Sequence, residues 1–220
     1  MNYQAIIDKY YPEDNELRHI LITHSQSVAQ KALQIVSYHP ELQLDAQFIE
    51  EAAMLHDLGI FMTDAPGIQC FGSQPYICHG RLGAEILRKE GYERHARVCE
   101  RHTGAGITEA QIIAQNLPLP HQDFLPETME EKVICYADKF FSKTHLDREK
   151  TIEKAEKSLM KFGEEGVNAS EDSNNSLALH LTDYFIWSNK ASASQGTKIE
   201  NSAYTSPNFF MAQTAEHMNA

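Results

Sequence analysis

Before Val167, apolar residues recur at spacings of three, four and seven, and no stretch alternates clearly between apolar and polar. That period predicts a nearly all-α chain. The first strong segment, ELRHILITHSQSVAQKALQIVSYHP, places Leu17, Ile20, Leu21, Val28, Ala32 and Ile35 on one stripe before Pro40 stops it, and His24 falls on the same stripe. A second helix is expected to start at an Asp45 N-cap, run through AQFIEEAAMLHDL, and end at Gly59 as a left-handed C-terminal cap. His56 lies three and four residues beyond Ala53 and Ala52, so it should face inward.

The next stretch, FMTDAPGIQCFGSQPYIC, is punctuated by Pro66, Gly67, Gly72 and Pro75 and reads as an irregular lid or pocket wall. HGRLGAEILRKE follows as a helix with His79 on the face of Leu82, Gly83 and Ile86. ERHARVCERHT, ahead of Gly104, sets His102 on the stripe of Val98 and Cys99. Two capping boxes, Thr108 with Gln111 and Thr128 with Glu131, open two further helices. The second carries Asp138 one turn after Ile134, beside Ala137 and Phe141. Asp147 to Phe162 reads as an amphipathic helix with Ile152, Ala155, Leu159 and Phe162 as docking positions.

After Val167 the chain turns rich in Ser, Asn, Ala and Thr, and only LALHLTDYFIW has the apolar density to pack. The expected organisation is therefore a catalytic-sized domain over residues 1–167 and an appendage over 168–220, partly disordered or loosely packed. A chain of 220 residues is long enough for one well-filled core. Its first residues lack a basic start followed by an apolar stretch, and no run reaches a membrane span, so a cytoplasmic protein without membrane contact is expected. The net charge of -12 disfavours duplex nucleic acid. Four cysteines without C-x-x-C spacing read as buried free thiols. His121, in LPLPHQD, reads as an exposed loop histidine, with an additional ligand or pocket residue as the alternative.

Composition leaves open a small anionic substrate, and the inward-facing ionisable residues sharpen that. His24, His56 with Asp57, His79, His102 and Asp138 sit on the buried stripes of five separate expected helices. Converging that much polarity without a shared partner would be costly. Imidazoles and carboxylates without thiolates suit iron, manganese, zinc or magnesium. Six ligands exceed what one four-coordinate zinc needs, which favours two ions, with Asp57 as a bridge.

The order H…HD…H…H…D, carried here by His24, LHDLG, His79, RHTG and ADK, resembles the HD superfamily of metal-dependent phosphohydrolases over about residues 15 to 145. LHDLG is similar to the HDIG variant, and the two intervening histidines resemble those of members that hold a dinuclear centre. The resemblance implies an HD-domain helical bundle with a metal site in its core. His24, His56, Asp57 and Asp138 would hold one ion, and Asp57, His79 and His102 a second. Iron or manganese is expected first, with zinc, magnesium or nickel as alternatives. The implied reaction is hydrolysis of a nucleotide or other small phosphate ester by metal-activated water, with Asp57 and Lys139 in catalytic roles. Arg81, Lys139 and Thr103 are the candidate substrate contacts, with Arg101 weighed beside them, and a homodimer is an open expectation. The same arrangement also occurs in mixed-valent diiron oxygenases, and a non-catalytic nucleotide-binding module is a third reading.

Overall fold

The structure is a computed structural model that describes residues 1–151 and 153–155. Its helices are α1 (Tyr3–Tyr10), α2 (Glu16–Tyr38), α3 (Ala46–Leu55), α4 (His79–Lys89), α5 (Glu93–Arg101), α6 (Glu109–Ala114) and α7 (Met129–Asp138). Short 3-10 turns occupy Pro40–Leu42, Ile60–Met62, Pro66–Ile68 and Tyr76–Cys78. The long α2 packs on α3 and α7, and α4 and α5 form a closely packed pair that leans on α3 and α7. Leu21, Val28, Ile49, Leu55, Leu87 and Ile134 meet in one buried core. Each such aliphatic side chain contributes about 1.5–3 kcal/mol by leaving water.

Local chemistry sets the helix starts. The Asp45 carboxylate accepts from the Phe48 amide, and Asn15 does the same for Arg18 at the head of α2. Both expected capping boxes form, at Thr108 with Gln111 and at Thr128 with Glu131. Between α3 and α5 a buried Glu51 meets His95 at 3.2 Å.

Four expectations need correction. First, the 60–78 stretch contains a small sheet, β1 (Thr63–Ala65), β2 (Cys70–Phe71) and β3 (Gln74–Pro75), in the order β2-β1-β3. Asp64 pairs with Phe71 antiparallel, and Thr63 with Gln74 parallel. Strands of two or three residues are too short to show alternation. Second, α3 ends at Leu55, and His56 and Asp57 lie in the turn that follows. Third, Gly59 has φ -86°, so it is no left-handed cap. It is glycine for closeness instead, because a Cβ there would collide with the His79 carbonyl and the Gly83 amide. Fourth, Asp147 to Thr151 is not helical, and only Glu153–Ala155 is helical among the described residues of that segment. Leu159, Phe162, the 167/168 boundary and LALHLTDYFIW lie outside the described residues.

Helix α1 is an element the sequence pattern did not mark. It buries Ile6 and Ile7, and just beyond it the Tyr11 hydroxyl donates to the Leu58 carbonyl at 2.8 Å, bracing the turn after α3. All four cysteines are free and buried, as the absence of C-x-x-C spacing predicts. No helix among the described residues is long and apolar enough to cross a membrane.

Candidate metal centre

Five elements deliver the six expected ligand residues to one place. His24 projects from the middle of α2, His56 and Asp57 from the turn after α3, and His79 from the first position of α4. His102 follows α5 directly, and Asp138 is the last residue of α7. The four histidines and Asp57 are at most 3 % exposed, and the Asp138 side chain 13 %. Helix ends free the backbone for such delivery, since five of these six residues sit at or just past a terminus, His24 alone lying in mid-helix.

The residues form two trios that share Asp57: His24, His56 and Asp57, and Asp57, His79 and His102, each with its donor atoms within 4.8 Å of one another. Asp57 Oδ2 lies 3.2 Å from His24 Nε2 and 3.1 Å from His56 Nε2. Its other oxygen, Oδ1, is 3.4 Å from His79 Nε2 and 3.5 Å from His102 Nε2. Asp138 joins the first trio through Oδ1, 3.0 Å from His24 Nε2 and 3.6 Å from His56 Nε2.

Three imidazoles are aimed by their own backbone. The Nδ1–H of His56 donates to the Ala53 carbonyl at 2.6 Å, that of His79 to Tyr76 at 2.7 Å, and that of His102 to Cys99 at 2.7 Å. This leaves Nε2 as the inward atom in each ring, the arrangement by which an outer hydrogen bond fixes a ligand's tautomer and orientation. His79 Nε2 and His102 Nε2 face each other at 3.1 Å. Two such lone pairs repel unless a proton or a cation lies between them. His56 Nε2 and Asp57 Oδ1 are fully buried and make no hydrogen bond among the described residues. Buried polar atoms left without partners, in an all-nitrogen and oxygen donor set, fit a divalent cation.

Electrostatics point the same way. Burial opposes a charge on His56, but the Asp57 and Asp138 carboxylates outweigh it and push the imidazole up to about 9. Burial dominates at His79, which falls to about 3, and it also lowers His102. Although burial alone would raise both carboxyls, His56 and Lys143 hold Asp57 well below the usual carboxylate range, and Lys139 and His24 do so for Asp138. Cys135 is pushed up to about 11 by burial, so its thiol stays protonated. Cys99 is also buried and protonated, and its thiol donates to the His56 carbonyl at 2.9 Å, a further brace on the ligand turn.

A cavity of about 430 Å³ opens beside His24 and Asp138. The 60–78 stretch does wall it, through Ala65, Gly67, Ile68 and Tyr76, whereas the 104–127 region contributes only Gly104. Lys139 lines it, with Nζ 2.8 Å from Asp138 Oδ2 and 3.3 Å from the His102 carbonyl. The structure does not bring Arg81, Thr103 or Arg101 to this wall. Arg81 pairs with Glu85 along the outer face of α4, and Arg101 is held by the Leu125 carbonyl and Glu127. His121 is exposed, as a loop position predicts.

Sequence reasoning missed Lys143, whose Nζ lies 2.6 Å from Asp57 Oδ2. It also missed Tyr76, whose ring stacks on His79 at 4.6 Å. Neither sits on a periodic face. The legible signal was the run of lysines at 139, 143 and 150 after the last acidic ligand, in a chain that is otherwise strongly acidic.

Comparison with known proteins agrees with this geometry. The chain is 36% identical over 148 residues to an uncharacterized protein of Methanocaldococcus jannaschii, covering 62% of this chain and 80% of that one. It is 35% identical over 152 residues to a tRNA (cytidine(56)-2'-O)-methyltransferase of Picrophilus torridus, covering 64% of this chain but only 40% of the relative. A methyltransferase of the same name from Thermoplasma volcanium is 34% identical over 123 residues, covering 56% of this chain and 32% of the relative. The chain thus spans well under half the length of either methyltransferase. No solved structure matches it. The HD domain family model matches residues 21–142, a segment that holds all six clustered histidines and aspartates and more than half of the chain, so this protein belongs to the HD domain family.

Proposed function

We propose that this chain is a metal-dependent phosphohydrolase that acts on a nucleotide or another small phosphate ester at a dinuclear centre. The observation that carries the reading is Asp57, one buried carboxylate whose two oxygens face two different groups of imidazoles. In this reading His24, His56, Asp57 and Asp138 hold one ion, and Asp57, His79 and His102 the other, with iron or manganese favoured by the donor set. A bound pair of this kind supplies Lewis acidity and lowers the pKa of a coordinated water towards neutrality.

The chain's own residues supply the remaining work. The Nδ1 bonds to Ala53, Tyr76 and Cys99 hold three rings in ligating orientation without needing distant support. Lys139, pinned between Asp138 and the His102 carbonyl, keeps a fixed positive charge at the cavity wall. The cavity lining carries three lysines and one carboxylate, so it attracts an anion even though the whole chain repels long polyanions. The names of the two methyltransferase relatives place RNA-derived nucleotides early in any substrate panel.

The test is elemental analysis of protein purified without added metal, together with a phosphoester panel assayed with manganese and, anaerobically, with ferrous iron. About two ions per chain and phosphate release are expected. Absence of both metal and hydrolysis would overturn the reading, and two irons with no phosphate release would favour the oxygen-activating diiron alternative.

A further inference from the structure

Lys143 is placed where the sequence pattern gives it no reason to be. Its side chain is 13 % exposed, and its Nζ contacts Asp57 Oδ2, the same oxygen that faces His24 Nε2 and His56 Nε2 at 3.2 and 3.1 Å. The ammonium therefore sits at the rim of the first trio, on an oxygen that a divalent ion would also claim. Two cations in contact with one carboxylate oxygen repel each other strongly in a buried setting. Lysine can yield, because its charge rides on a flexible four-carbon stem that starts here in an irregular segment between α7 and Glu153.

What the ammonium can yield to is limited. In the cavity beside His24 that Lys143 lines, Asp138 is the one carboxylate; in a second cavity, of about 330 Å³, Lys143 meets Glu16 and Asp147, both exposed, where an ion pair is worth little. Asp138 is already engaged on both oxygens, Oδ1 by His24 and Oδ2 by Lys139. Lys150, on the same wall, is satisfied by the Lys139 and Phe141 carbonyls rather than by any carboxylate among the described residues. An ammonium released from Asp57 into this space finds neutral hydroxyls at Tyr76, Ser142 and Thr144 and an excess of positive charge. Its natural counter-ion is then an incoming anion.

We infer that Lys143 is a substrate anchor released by the metal: in metal-free protein it stands in for the cation at Asp57, and on metal loading it moves into the cavity and binds the phosphate of the substrate. The inference rests on the phosphohydrolase reading for the identity of the anion, but its test uses no turnover. Binding of phosphate and binding of metal become coupled through one side chain, because the ion frees the group that the phosphate needs.

The experiment titrates Mn²⁺ into metal-free wild type, Lys143→Gln and Lys150→Gln, and then titrates inorganic phosphate into each protein with and without Mn²⁺. Lys143→Gln should bind Mn²⁺ about tenfold more tightly than wild type and, once loaded, bind phosphate about tenfold more weakly. Lys150→Gln should change Mn²⁺ affinity much less than Lys143→Gln, since its ammonium bonds the Lys139 and Phe141 carbonyls and touches neither Asp57 nor Asp138. Unchanged or weaker Mn²⁺ binding in Lys143→Gln, or unchanged phosphate binding, overturns the proposal. A second readout needs only the wild type. Labelling by an amine-acylating reagent, mapped by peptide mass spectrometry, should rise at Lys143 when Mn²⁺ is added and fall again with phosphate. Labelling indifferent to Mn²⁺ overturns the proposal even if the variants fail to fold. If both binding arms behave as expected but no phosphoester is hydrolysed, the hydrolase reading fails and the anchor stands.

Discussion

Asp57 carries more of the site than any other side chain, because its carboxylate is wholly buried and faces four imidazoles and one ammonium. Asp57→Asn keeps the shape and removes the charge, so if the centre is dinuclear as proposed, elemental analysis should show metal content falling from about two ions per chain to nearly none. Retention of both ions would show that the bridge lies elsewhere. His56 adds a pH dependence of known sign. Its imidazole, pushed up to about 9, must lose a proton before Nε2 can ligate, so acid opposes metal binding. Between roughly pH 7 and 8.5 the apparent Mn²⁺ affinity should rise about tenfold per unit, and calorimetry at several pH values would reveal a flat profile if that proton is not displaced. At this scale the clustered histidines and aspartates were legible because they interrupt or end apolar stripes. Lys143 was not, because a loop residue leaves no period, and Arg81 misled because a charge two positions from a ligand can equally pair with Glu85 along its own helix.

The elements are set by backbone contact as much as by side-chain packing. Gly59, Gly80 and Gly83 bring the turn after α3, the head of α4 and α5 together so closely that a Cβ at Gly83 would lie 2.6 Å from Cys99 Sγ and 2.9 Å from the Gly59 amide. Gly59→Ala meets backbone on the far side, which cannot swing away, so it should cost about 1–3 kcal/mol or more in thermal unfolding. It should also weaken metal binding, because Asp57 lies two residues and His56 three residues before it and His79 lies opposite. A melting curve unchanged from wild type would mean the turn can relax at no cost. Helices with caps or long stripes could be read from the sequence, as the caps at Asp45, Thr108 and Thr128 show for three of the starts. The sheet could not, since its strands pair across only two positions each. Helix α1 was missed because it buries only the adjacent pair Ile6 and Ile7 and so shows no repeating stripe, and Asp147 to Thr151 shows that an amphipathic pattern does not by itself fix where a helix begins.

For the molecule as a whole, the histidine and aspartate cluster ties α2, α3, α4, α5 and α7 to one point, so metal bound there should act as part of the core. Metal at about 100 times its dissociation constant should stabilise the native state by about 2.7 kcal/mol. For a chain of this size that corresponds to a rise of about 5–10 °C in the unfolding midpoint, reversed by a chelator. A midpoint indifferent to both would show that the fold closes over the cluster without an ion. The site itself is assembled on another principle, that of self-contained parts. Each of His56, His79 and His102 takes its aim from a carbonyl three residues earlier in its own turn. A tetrapeptide is thus a portable ligand cassette, which any helix end of suitable position can carry. The surrounding sequence is free to drift so long as the helix ends still converge, and a designer could graft the same cassettes into an unrelated bundle.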